Sequence, residues 1–346
     1  MQPPDNPHSI VTINGDVYDN WKDQQTFQQV SVDLTTNQAS EGLIRFFDPK
    51  FKIIDKYSLA DGVPHCEVDI WMGFGADLGP KVFSGLLTRV ERRDTDSVFR
   101  AYDKGHKMKY KRQNDYHYKL NDVAIIQKLA ERNGLAFEGP DDQSGLPNHN
   151  SMMQDHATDW RHAKERAREA GLVLYVRGDT LFAKPPAKVG APKLTLIYRD
   201  DLNNVPRMFH HFDCSYKLPE NQKGRHKVVR QRYRETGGTQ GTGVSSRHQR
   251  GHEKEETKAD LSIYQKSYAD RKAVASKELN REHAFVITAR SVPPLPVVRP
   301  DARDTIAVAE MGLLFSGAYL CDKVMHDLNG SSFVTEYTLY RDHNEG

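Results

Sequence analysis

Apolar and polar residues alternate with a period of two in short runs along most of this chain, the pattern of half-buried β-strands. Residues 9–13, 30–35, 43–47 and 66–73 each carry the alternation, and Pro49 closes the third run. Asn14-Gly15-Asp16 reads as a turn. Residues 80–103 predict a hairpin. Val82, Leu86 and Val90 alternate with Phe83, Leu87 and Arg89, the polar stretch Arg93-Asp94-Thr95-Asp96 turns the chain, and Val98, Phe99 and Tyr102 return it. About six short strands in the first hundred residues predict a sandwich or barrel.

The period then changes. Asn121 is an N-cap and Asp122 a first-turn carboxylate, and Val123, Ile126 and Ala130 share a helical face with Ile125 and Leu129 beside them. Gly134 ends this helix and Leu135 packs back over it. The plan repeats: Thr158 caps a second helix with Trp160, Ala163 and Ala167 on its inner face, and Gly171-Leu172 ends it. Each helix leads to a strand, 135–138 and 172–176, and the second forms a hairpin through Arg177-Gly178-Asp179 to 180–183. Residues 104–119 read as a basic, aromatic linker and 139–154 as a loop.

After Pro185, Pro186 and Pro192 a third module begins at 194–198. Val228-Val229 and 230–234 form a candidate strand, 236–246 a long exposed loop, and 268–279 a short helix. The end is again β, at 284–288, 305–309, 315–326 and 333–341.

Length and composition narrow the class. With 346 residues there is room for two or three cores, and 37% apolar content points to thin β-layers completed by wet interfaces. A net charge of +2 gives no global pull toward nucleic acid or membrane. No apolar run reaches the length of a membrane-spanning helix, and the start lacks the pattern of a signal peptide. Cys66, Cys214 and Cys321 read as reduced thiols.

Candidate chemistry is sparse. His210, His211, Asp213 and Cys214 lack the paired spacing of a zinc site, and strand neighbours face opposite ways. His149, His156 and His162 read as surface histidines, and His326 as a hydrogen-bonding residue at the Asn329-Gly330 turn. The glycines at 237–243 lack the Lys-Ser/Thr of a phosphate loop. Asp141-Asp142 and the carboxylates at 253–256 fall in polar loops. The basic residues at 107–112, with Tyr110, Tyr116 and Tyr118 in and beyond them, form a candidate single-strand nucleic-acid surface, with 223–234 as a second basic stretch. A solvated linker or a subunit contact accounts for them more simply. No nucleophile, acid–base or metal motif supports an enzyme.

The motifs of the hairpin and first helix carry a resemblance. Phe83-x-Gly85-x-x-Thr88-x-Val90, Ala101-Tyr102-Asp103, a basic stretch, Asn121-Asp122-Val123 and Asn133-Gly134-Leu135 resemble the late control protein D family. That family supplies baseplate hubs of contractile phage tails and is similar to the amino-terminal part of VgrG spikes. Thr158-Asp159, Gly171-Leu172, Phe182 and Pro185 follow the family's order, as do Gly317-x-Tyr319, Val324-x-His326, Thr335 and Arg341. One departure is Pro300-Asp301-Ala302-Arg303, where family members carry Pro-Gly. The resemblance implies a mainly β fold with α+β parts, two small tube-forming barrels flanking an α/β module. The expected domains are 1–104, 105–190 and 191–346, the last with an insertion around 218–284.

The resemblance also implies a function. The chain is expected to form a homotrimeric baseplate hub between a hexameric tail tube and a trimeric spike, with tape measure and wedge proteins as further neighbours. DNA passes through its channel without specific binding, and the location is the virion tail, assembled in the host cytoplasm. No catalytic, cofactor-binding or metal residues are expected. A hub of a type VI-like or extracellular injection machine uses the same part. A tail-tip cell-wall hydrolase is the alternative from another class and needs an acid or nucleophile in a cleft.

Overall fold

The computed structural model describes residues 6–23, 26–35, 39–57, 66–75, 81–143, 146–185, 187–197, 209–216, 226–232, 240–243, 253–259, 285–291, 303–330 and 332–341. For 209–212, 216, 226–232, 240–243, 253–259 and 291 it describes the backbone alone. The first module contains β1 (Pro7–Ile13), β2 (Asp16–Asp19), β3 (Phe27–Thr35), β4 (Glu41–Phe47), the short helix α1 (Lys52–Lys56), β5 (Glu67–Phe74), β6 (Lys81–Arg93) and β7 (Asp96–Tyr102). The middle holds a 3-10 helix (Lys104–Lys109), β8 (Arg112–Leu120), α2 (Asp122–Arg132), β9 (Ala136–Glu138), β10 (His149–Thr158), α3 (Asp159–Glu169), β11 (Val173–Arg177) and β12 (Thr180–Lys184). Then come β13 (Leu194–Ile197), β14 (Phe209–Tyr216), β15 (His226–Arg232), β16 (Gln240–Gly243), β17 (Glu253–Ala259), β18 (Phe285–Ser291), β19 (Thr305–Ala309), α4 (Gly312–Phe315), β20 (Gly317–Asn329) and β21 (Ser332–Arg341).

The expected mainly β architecture is present. Among the described residues thirteen strands join in one sheet, in the order β14-β18-β21-β20-β3-β4-β7-β6-β5-β1-β2, with β19 beside β20 and β13 beside β19. Five strands of its second half repeat five of its first. The order β14-β18-β21-β20-β19 matches β3-β4-β7-β6-β5, and every neighbour is antiparallel. Both long strands, β6 and β20, have 13 residues and enter a two-residue turn. Asp94 and Gly330 open these turns with φ of 49° and 57°. The repeat departs at its end, where β5 meets β1 antiparallel but β19 meets β13 in parallel.

Alternation gives each half its own core. Val11, Val30, Ile44, Ile70, Leu87 and Phe99 are fully buried in the first. Leu196, Ile287, Ile306, Tyr319 and Leu339 are fully buried in the other. The hairpin β20–β21 contributes to both, with Leu328 and Phe333 in the first core and Val324 and Tyr337 in the second.

The middle module shows why two helices end alike. The Asn121 side chain accepts from the Ala124 amide at 2.8 Å, and Thr158 from Arg161 at 3.3 Å. Gly134 and Gly171 take φ of 71° and 75°. The amides of Leu135 and Leu172 reach back to Ala130 and Ala167 carbonyls at 3.0 and 2.7 Å. These are Schellman closures, and glycine is favoured there because a Cβ is strained at positive φ. The helices lock reciprocally. Asp122, in the first turn of α2, meets Arg166 of α3 at 3.4 Å, and Asp159, in the first turn of α3, pairs with Arg132 of α2.

Several sequence expectations are corrected. Residues 104–119 are not a linker but the 3-10 helix and β8, and within the expected loop at 139–154 all of 149–154 belongs to β10, which pairs with β8. Tyrosines and histidines at alternate positions of β8 had no strong apolar alternation to reveal a strand. Within the expected loop at 236–246, Gln240–Gly243 forms β16 on β15, and the carboxylates at 253–256 lie in β17, parallel to β15. Backbone pairing decides those elements without an apolar pattern. The remaining loop positions and the helix expected at 268–279 lie outside the described residues.

Candidate assembly surface

The junction between the two β-modules is a ladder inside one chain. β3 and β20 pair antiparallel over seven residue pairs, from Lys323 with Thr35 to Asn329 with Gln29. Its apolar face is continuous with both cores: Val30, Val32, Val324 and Leu328 are buried, and Leu34 packs on both clusters. Its polar face is cross-linked by side chains. Lys323 meets Asp33 at 2.6 Å, and Gln29 donates to Asp327 at 2.9 Å. His326, expected in a strand with a hydrogen-bonding role in the adjacent turn, lies in β20 and is buried, and its Nδ1 bonds across the β20–β21 ladder to the Thr335 hydroxyl at 3.0 Å.

The middle module docks at the same place. A cleft of about 210 Å³ lies where the modules meet, lined by Leu34, Lys81, Asp103, Tyr175, Arg177 and Arg303 among others. Lys104 bridges the modules through Glu67 at 3.1 Å and Asp179 at 2.7 Å. Asp103 caps the 3-10 helix by accepting from Gly105 at 3.1 Å and from the Ser40 amide at 2.6 Å. Burial pushes its carboxyl up to about 6, against the lowering effect of those amides. Both oxygens are thus engaged by the backbone, which makes Asp103 a brace between modules rather than a free acid. Arg303, at φ 78°, lays its guanidinium 4.4 Å from the Tyr175 ring centroid and donates to the Pro185 carbonyl at 2.8 Å.

The second core is closed by Arg341. Its guanidinium donates to the Ser316 and Leu314 carbonyls at 2.8 Å each and lies against Phe285 and Tyr319. Gly317 passes beneath it with φ of 141°, where a Cβ would run into the guanidinium. The motif Gly317-x-Tyr319 with the distant Arg341 is therefore one packing unit. Tyr319 is buried, and its phenol is pushed up to about 12.

The other residues weighed in the sequence are dispersed. Among the described residues, no three His, Cys, Asp or Glu side chains gather into a metal site. Cys214, on β14, packs against the second core. His149 contacts Asp122 at 2.9 Å and His156 meets Asn114 at 3.2 Å. His162 is not on the surface. It is buried and stacked on His117 at 5.5 Å, a pairing that a helix and an apparent linker concealed. Tyr116 and Tyr118 do share an exposed face, stacked at 6.0 Å, but Lys109 turns inward over the Trp160 ring at 5.3 Å.

Comparison with known proteins places this architecture. Residues 5–211 match the family model of the Alg8 N-terminal domain. The chain belongs to that family. No curated protein matches the sequence. Among solved structures, the tail protein from Neisseria meningitidis MC58 is similar at 11% identity and a TM-score of 0.65, with 98% of each chain covered. The 43 kDa tail protein of prophage MuSo2 from Shewanella oneidensis is similar at 9% identity and 0.64, covering 97% of this chain and 98% of that one. A chain of the Francisella PdpA–VgrG complex is similar at 9% identity and 0.61, covering 99% of this chain and 59% of that one. The Alg8 N-terminal-domain chain thus has the fold seen in phage tail proteins and in that complex.

Proposed function

We propose that this chain is a structural hub of a contractile-tail baseplate, related to the late control protein D proteins, and that it works as a homotrimeric ring. The observation that carries this reading is the repeated five-strand path fused through β3 and β20. One chain supplies two modules of matching strand order, so three chains supply six. Such a ring presents six similar positions to a hexameric tail tube and three to a trimeric spike, and it surrounds a channel for DNA. Function then resides in surfaces. Asp103, the buried carboxyl with the strongly raised pKa, is held by backbone amides, which favours a non-enzymatic role. The setting is the virion tail.

The likeness to the Francisella PdpA–VgrG complex supports a second reading within the same class, the hub of a bacterial injection machine. Light scattering and cryo-electron microscopy of the purified assembly test both. The expected result is a trimer with six β-modules around one channel, joined to a tube on one side and a spike on the other. A chain that stays monomeric with its spike protein present overturns the proposal. Clearing of peptidoglycan in a zymogram would move the chain to the hydrolase class.

A further inference from the structure

The two halves of the repeated sheet are not equally complete. On one side, β20 pairs with β19 along 317–320 and with β3 along 323–329, while β21 covers its other side. Its counterpart β6 pairs with β5 along 81–86 and, on the opposite side, with β7 along 86–93. Among the described residues, no strand is registered beside 88–93 on the β5 side. The counterpart of β3 is β14, and among the described residues β14 ends the strand path with β18 as its neighbour. One chain therefore makes one β3·β20 junction and carries the two halves of a second.

We propose that β14 of one protomer pairs antiparallel with the outer half of β6 in a second copy of this chain. The inference rests on the ring reading above and names the contact that closes the ring. A strand edge recruits another strand through its backbone groups, and the charged residues Arg89, Glu91, Arg92 and Arg93 restrict which strand that is.

The registers fix the alignment. Counting from the two hairpin turns sets Asn329 against Arg93, and Met325 against Arg89. Carrying the count through β21 and β18 on one side, and β7 and β4 on the other, sets Asp213 against Asp33. Since Asp33 lies opposite Met325, Asp213 comes opposite Arg89 of the neighbouring protomer. The same register brings His211 opposite Glu91 and Phe212 opposite Val90, and it carries Cys214 to the level of Thr88, the residue bulged out of the β6–β7 ladder. The register sets the acid Asp213 against the base Arg89 on one face, while Val90 and Cys214, on the other, already pack against their own cores.

The native Cys214 provides the test. In the full chain, Thr88→Cys under mild oxidation is expected to form disulfides between protomers, giving dimer and trimer bands on a non-reducing gel that vanish when Cys214→Ser is added. Arg89→Asp is expected to weaken self-association several-fold in sedimentation, and Asp213→Arg in the same chain to restore it. A trimer that shows neither the cross-link nor the charge rescue overturns the strand pairing and leaves the ring reading standing. The cross-link in a closed assembly of another size supports the pairing and overturns the trimeric ring. A monomer at high micromolar concentration with no cross-link overturns both.

Discussion

Phe74 and Phe333 touch edge-on, with ring centroids 5.1 Å apart and planes at 67°. They belong to β5 and β21, between which β20, β3, β4, β7 and β6 intervene in the sheet. The sheet is therefore rolled until strands distant along its hydrogen-bonding direction share one core. Phe333 is 5% exposed, so Phe333→Ala is expected to cost about 3–5 kcal/mol in urea unfolding. The double variant with Phe74→Ala should show a coupling of about 0.5–1.5 kcal/mol beyond additivity, the worth of an aromatic pair. Strict additivity would mean that the roll is held without this contact.

Gly85 gives a second expectation. A Cβ there would meet the Tyr102 carbonyl oxygen and the Phe83 ring at once, and a carbonyl in a paired strand has little room to retreat. Gly85→Ala is expected to destabilise the first module by about 1–3 kcal/mol, through forced displacement rather than lost burial. Chemical denaturation with an unchanged slope would show it.

Much of this was legible in the sequence, for reasons those residues illustrate. Period-two alternation located the hairpin at Lys81–Arg93 and Asp96–Tyr102, because a buried face demands every second residue. The caps at Asn121 and Thr158 and the glycines at 134 and 171 marked the helices, because unpaired helix-end groups demand particular side chains and torsions. The strand Arg112–Leu120 was hidden, since its alternation is between tyrosines facing out and His117 facing in. The junction was hidden more deeply. Nothing in the composition of Gln29–Thr35 says that its second neighbour lies some three hundred residues away, because ladders are chosen by backbone geometry and fold closure.

His162 makes stability depend on pH. Burial, with Arg166 and His117 beside it and Glu165 and Asp159 opposing them, pushes its imidazole down to about 4. His117 is also lowered, by burial with Lys128 and Arg132, against Asp115 and Asp159. A histidine whose folded pKa lies below its unfolded value stabilises the fold fully above the unfolded value. That stability is lost as pH falls from about 6.5 toward about 4, because the unfolded chain takes up the proton first. The urea midpoint is expected to fall across that window, and His162→Phe to flatten the fall. An unchanged slope in the variant would assign the acid sensitivity to other groups.

The reciprocal ion pairs of the middle module predict unequal partners. Asp159 is buried and receives Arg132, Gln154 and Asn133. Removing it takes away the buried partner of Arg132, which keeps only Asp115 and Gln154, each at 3.1 Å, and strips Gln154 and Asn133 of a buried acceptor. Asp159→Ala is expected to cost on the order of 3 kcal/mol, more than Arg161→Ala, whose ion pair with Glu165 is exposed. Thermal unfolding of the two variants side by side checks the order.

The ladder of seven residue pairs between β3 and β20 has a mechanical meaning. A force along these strands loads all of its backbone hydrogen bonds together, in shear, whereas a force across them would open them one at a time. β20 and β21 also thread both cores, so neither module can tilt without dragging a strand through the other's interior. Joined this way, the two β-modules behave as one stiff unit, and a load on either is passed to the other as a displacement of both.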